Sequence, residues 1–200
     1  MMAGYNMGDE YEDKIFRICK ANRIVPENSR RAGAGGSADI KFLHGGNTYN
    51  IEVKLDLKAD YGQRSLKWED GKWFWKKDDE ITKLYNSLGV LKTINVKKQF
   101  RPFKYSTEKN DITQNEKDSD RYNFEDKLDI PTDALFTYYE EKDTYYLQIG
   151  GFGFYYMQED ILDLKVPQFD GKLILRTRAK THHTIPIHNY SFMAVLKVKR

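Results

Sequence analysis

Polar and apolar residues alternate across Tyr49-Asn50-Ile51-Glu52-Val53-Lys54-Leu55, and this period of two predicts a strand over 49–56. Its even positions carry Asn50, Glu52 and Lys54, and its odd positions carry Ile51, Val53 and Leu55. Residues two apart share a face, so Glu52 and Lys54 project together while the aliphatic residues anchor the other side. A second strand is predicted over 38–43, and His44-Gly45-Gly46-Asn47-Thr48 reads as the turn that folds the two into a hairpin. Upstream, Tyr11, Ile15, Ile18 and Cys19 recur at helical spacing and predict a helix over 9–22, followed by a strand near 23–29.

The rest of the chain reads as mostly extended. Leu66-Lys67-Trp68 and Trp73-Phe74-Trp75 flank a Glu69-Asp70-Gly71-Lys72 turn, and 78–89 forms a helix with Ile81, Leu84, Tyr85 and Leu88 on one face. Residues 106–127 are charged and poor in apolar positions, and are expected to be a long loop or mobile insertion. Strands are expected at Leu135–Tyr139, Tyr145–Ile149, Leu173–Ala179 and Ser191–Val198, with Gly150–Tyr156 as a bulged continuation. No internal repeat is present. The pattern predicts an α/β (α+β) chain whose C-terminal half is rich in β-structure.

Composition narrows the class. With 200 residues, 40% hydrophobic and 32% charged, the chain suits one sizeable core and a single domain over 1–200. No apolar run approaches a membrane span, and no secretory signal is visible, so a cytoplasmic location is expected, the host-cell cytoplasm if the source is viral. The single cysteine, Cys19, excludes an internal disulfide framework and a cysteine-based zinc cluster. The net charge of +3 says little about partners, but the distribution says more. Arg176, Arg178 and Lys180 alternate with Leu175, Thr177 and Ala179 and would form one cationic strand face, suited either to a DNA backbone or simply to water.

The hairpin carries the chemistry. Pairing 38–43 with 49–56 brings Asp39 beside Glu52 and Lys54. Two neighbouring carboxylates repel unless a cation lies between them. Hard oxygen ligands without thiolates or paired imidazoles favour Mg²⁺, with Mn²⁺ as a substitute.

Asp39 followed by Glu52-Val53-Lys54 on a strand resembles the PD-(D/E)XK nuclease superfamily, with Ala38 standing where the motif has proline. Three neighbouring features strengthen the resemblance. Gly8 and Glu12 are spaced like the glycine and extra helix acid of archaeal-type Holliday-junction resolvases, Glu10 being the competing acid. Arg30-Arg31-Ala32-Gly33-Ala34-Gly35-Gly36-Ser37 is similar to the basic, glycine-rich loop of such enzymes, where backbone N–H groups and arginines meet phosphate. Gln63 follows the strand as superfamily members often place a polar residue. The resemblance covers residues 8–68.

It implies a restriction-endonuclease-like mixed central sheet flanked by helices, and a Mg²⁺-dependent DNA nuclease, in the resolvase case an endonuclease and a homodimer. The residues it implies are Asp39, Glu52 and the Val53 carbonyl as metal ligands, with Glu12, Lys54 and Gln63 completing the catalytic set. Arg30, Arg31, Gly35 and Ser37, with the Arg176, Arg178 and Lys180 stripe, would contact DNA. Two alternatives stay open: a nucleic-acid-binding module without catalysis, and a viral structural or interaction protein that uses the tyrosine-rich second half.

Overall fold

The computed structural model describes residues 7–31, 39–97, 100–107, 111–180 and 189–197. The glycine-rich loop with Gly35 and Ser37, and the side chain of Lys180, lie outside the described residues. The sequence pattern suggested one domain; the backbone contacts divide the chain into two compact units. Unit 1 takes Ala59 and the chain before it together with Thr132–Gly171, and unit 2 takes Asp60–Pro131 and Lys172–Lys197. Both mix helix and strand, so the protein is α+β.

Unit 1 begins with α1 (Met7–Ala21), followed by β1 (Arg30–Arg31), β2 (Ile40–His44) and β3 (Asn47–Lys54). The β2–β3 hairpin forms as the sequence predicts. Gly45 and Gly46 both take positive φ, 56° and 84°, the twist a two-residue hairpin turn requires. The pairing sets Ile40 opposite Ile51 and Phe42 opposite Tyr49. After the first segment of unit 2, the chain returns through α6 (Thr132–Glu140) to β7 (Thr144–Ile149), which lies parallel to β3, and ends the sheet with antiparallel β8 (Gly153–Tyr156). The five-stranded order is β1-β2-β3-β7-β8.

Ile15 and Cys19, one turn apart on α1, pack with Val25, Ile40, Phe42, Ile51, Val53 and Tyr146. Each such side chain contributes about 1.5–3 kcal/mol by leaving water. Burial holds the Cys19 thiol up at about 11, so it acts as a small apolar group. Ile18, expected on the same face, is 42% exposed.

Two expectations for this unit are corrected. Residues 23–29 form turns: Arg23 takes φ 57° and the Ile24 N–H donates back to the Cys19 carbonyl at 2.9 Å, so the chain leaves the helix by turning. The segment Leu135–Tyr139 is helical, in α6. Its tyrosines favour strands, but Leu135, Tyr138 and Tyr139 are buried at helical spacing and that pattern prevails.

Unit 2 contains β4 (Asp60–Glu69), β5 (Lys72–Trp75), α2 (Glu80–Ser87), α3 (Val90–Lys97), α4 (Phe103–Ser106), α5 (Gln114–Phe124), β6 (Asp126–Ile130), β9 (Lys172–Lys180) and β10 (Asn189–Lys197). Its sheet is antiparallel throughout, in the order β5-β4-β10-β9-β6. The Asp70-Gly71 turn and the helix near 78–89 appear as expected, the latter started by a reciprocal cap between Asp79 and Thr82. The segment 106–127 departs from the expected loop. Thr113 and Glu116 cap α5, Phe124 is buried at its end, and Asp120 is 2% exposed and accepts from the Phe103 and Lys104 N–H groups at 2.7 and 2.8 Å. A helix this rich in charge shows almost no apolar stripe in sequence, yet two contacts anchor it.

Candidate functional site

Asp39 stands immediately before β2, and the hairpin register carries it to the level of Glu52 and Val53. Its Oδ2 accepts from the Val53 N–H at 2.7 Å. On β3, Ile51 and Val53 are buried and Glu52 and Lys54 are half-buried on the alternate face. Lys54 Nζ lies 2.5 Å from Glu52 Oε1, the two side chains being 18% and 15% exposed. The sheet thus brings Asp39, Glu52 and Lys54 together inside unit 1.

Electrostatics at the trio is dominated by burial and like charge. Burial, then the neighbouring Glu52 carboxylate, push the Asp39 carboxyl up to about 7, while Lys54 and the Val53 N–H pull it back. Burial alone would lower the Lys54 ammonium. The charges of Glu52, Asp39 and Glu12 outweigh burial and hold it above its ordinary value, so it is cationic at neutral pH. Among the described residues Asp39 Oδ1 has no hydrogen-bond donor.

The remaining candidates are distributed more widely. Glu12 acts on both Asp39 and Lys54 through its charge, but its Oε2 is 3.0 Å from Arg31 Nη2. Arg31 also reaches Asp13 at 2.9 Å and Asp9 at 3.3 Å. Its guanidinium, expected to meet phosphate, is occupied by three acids of α1. Arg30 is exposed on β1. Gln63 is exposed on β4 and belongs to unit 2, as do Arg176 and Arg178 on β9.

Sequence reasoning missed the supports behind the trio. Gln148 on β7 is the register partner of Val53, is 9% exposed, and donates from Nε2 to the Tyr11 hydroxyl at 2.8 Å. Its Oε1 is buried without a partner among the described residues. The Gly150 N–H donates to the Lys54 carbonyl at 2.8 Å. A Cβ on Gly150 would lie 1.9 Å from the Leu55 carbonyl oxygen and 3.0 Å from the Tyr11 hydroxyl, so only glycine lets β7 close against the end of β3. The signal was present in part: Gln148 is the one polar residue in Leu147-Gln148-Ile149, and Gly150 follows it directly.

The donor chemistry of Asp39, Glu52 and the Val53 carbonyl fits a hard divalent cation, and the raised Asp39 carboxyl with its open oxygen marks where positive charge would be stabilising. Lys54 already meets part of that need. Among the described residues no group of three or more His, Cys, Asp or Glu side chains is arranged to hold a metal, so protein carboxylates alone supply two ligands at most here. No helix among them is long and apolar enough to cross a membrane. Compared with known proteins, the chain matches no family model, no curated protein and no solved structure.

Proposed function

We propose that unit 1 is the catalytic core of a metal-dependent nuclease that hydrolyses phosphodiester bonds in DNA. The observation that carries the reading is the convergence of a buried Asp39, raised to about 7 by burial and by Glu52, with a cationic Lys54. Asp39, Glu52 and the Val53 carbonyl would hold Mg²⁺ or Mn²⁺. When bound, such an ion supplies positive charge against phosphate oxygens and makes water more acidic. Lys54 stabilises negative charge that develops on the phosphate, acting as a fixed cation and not as a base, because its neighbours keep it protonated. Glu12 adds negative potential from α1, tuned by Arg31. The layout supports a restriction-endonuclease-like core: a helix, an antiparallel β1-β2-β3 meander, then a helix leading into a strand parallel to β3.

The test is cleavage of linear, nicked, branched and single-stranded DNA with Mg²⁺ or Mn²⁺ by the parent, Glu52→Ala and Lys54→Ala. The reading expects cleavage by the parent and its loss in both variants; undiminished cleavage by both removes these residues from the mechanism.

One observation favours a second reading. Glu52 is already neutralised by Lys54, and Glu12 by Arg31, as expected if the charges only stabilise the fold of a nucleic-acid-binding module. That module would retain DNA without hydrolysing it and would show no divalent site at Asp39.

A further inference from the structure

Unit 2 contains a cleft of about 450 Å³ lined by Arg121, Glu125, Asp126, Lys127 and Arg176. Lys127 on β6 and Arg176 on β9 are direct register partners. Side chains opposite each other on neighbouring strands stand about 4.5–5.5 Å apart at Cβ, and like charges there destabilise the sheet unless an anion offsets them. Two acids of the lining, Glu125 and Asp126, stand against three cations. Glu125 Oε2 is 3.6 Å from Arg176 Nη2, beyond hydrogen-bond length, and Lys127 has no carboxylate partner among the described residues. Among the described residues Arg121 reaches only Asp118, at 3.2 Å, in a pair that is mostly exposed.

The cationic row continues past the cleft. Leu173, Leu175, Thr177 and Ala179 are buried, so Arg176 and Arg178 share the other face of β9. Among the described residues Arg178 Nε, which is buried, has no hydrogen-bond partner, and no carboxylate pairs with this side chain.

The walls are fixed in advance. The Thr177 hydroxyl, on a residue 1% exposed, donates to the Phe124 carbonyl and accepts from the Asp126 N–H, each at 3.0 Å. These bonds fasten the end of α5 and the start of β6 onto β9, so the backbone positions that carry the cations are fixed relative to one another.

We infer that this face of unit 2 is a phosphate-backbone docking site, in which Arg121, Lys127, Arg176 and Arg178 track successive phosphates of a nucleic acid while Glu125 limits the affinity. The inference goes beyond the nuclease reading, since it concerns unit 2 alone. A row of cations favours a polymer over a single free phosphate. Glu125 gives the site a signature that a merely solvated face lacks, because removing its charge should strengthen binding.

The experiment measures binding of the full chain to a short labelled DNA duplex by fluorescence anisotropy, in EDTA and across a series of KCl concentrations, with inorganic phosphate as competitor. Arg176→Gln and Lys127→Gln are expected to weaken binding and to flatten the slope of log K against log[salt] by about 1 each. Glu125→Gln is expected to tighten binding several-fold. The site is a polymer-docking surface if millimolar-range phosphate fails to displace DNA. Displacement at such concentrations, no DNA retained at low salt, or unchanged binding in all three variants would each overturn it. Cleavage assayed in parallel with Mg²⁺ separates the two ideas. Parent protein that cleaves while these variants bind normally overturns the docking site and leaves the nuclease reading intact. Binding that responds as expected, with no cleavage, does the reverse.

Discussion

Asp39 in unit 1 and Asp120 in unit 2 are both acids drawn out of water, yet they are solvated by the protein in different ways. Asp120 uses each oxygen once, Oδ1 on the Phe103 N–H and Oδ2 on the Lys104 N–H. Its carboxyl is raised by burial, and the two N–H groups and the Lys104 charge draw it back. Asp39 has one backbone donor, a second carboxylate beside it, and an oxygen with no donor among the described residues. Asp120 is completed by its own fold and holds two helices together. Asp39 is incomplete by one positive charge, which Lys54 supplies only in part. The contrast distinguishes a structural acid from one poised for an external cation.

The largest expected effect that could break this contrast is on activity. Asp39→Asn should lower DNA cleavage by at least about 100-fold, while Asp120→Asn leaves kcat near the parent value in single-turnover assays. Next comes the support of the trio: Gly150→Ala should destabilise the protein by about 3 kcal/mol in urea titration, because the added methyl meets the Leu55 carbonyl, which cannot move without displacing β3. Asp120→Ala should cost about 2 kcal/mol by leaving the Phe103 and Lys104 N–H groups without an acceptor, with no effect on metal response.

A further effect is a pH dependence whose sign is opposite to the usual carboxylate case. The folded Asp39 carboxyl titrates at about 7, above its ordinary value of 3.8, so the native state binds the proton more tightly than the unfolded chain. Its contribution is neutral at low pH, where both states are protonated, and becomes a growing penalty as pH rises from 3.8 through about 7. In EDTA, Asp39→Asn should therefore raise Tm above pH 7, by up to about 10 °C, and leave it unchanged near pH 4, as thermal scans across pH would read.

The elements that sequence made legible are those whose determinants are local. The β2–β3 hairpin follows from strict alternation and two adjacent glycines, and with it the meeting of Asp39, Glu52 and Lys54. The helix α2 follows from its cap and apolar face. The division into units was hidden because it depends on Lys172–Lys180 and Asn189–Lys197 pairing with strands far earlier in the chain. The helix α5 was hidden because Asp120 and Phe124, not a stripe, anchor it. Arg31 was read by its charge, but its partners Asp9, Glu12 and Asp13 lie on a helix whose approach to β1 no local pattern encodes.

Divalent-cation binding tests the central claim most directly, since it asks about Asp39 and Glu52 without relying on substrate. Mn²⁺ titrated into the full chain at pH 8 and followed by calorimetry should show saturable binding at a single class of site. That binding should be lost in both Asp39→Asn and Glu52→Gln and retained in Asp120→Asn. Equal Mn²⁺ binding by the parent and the Asp39 and Glu52 variants, or none by the parent, would contradict the account.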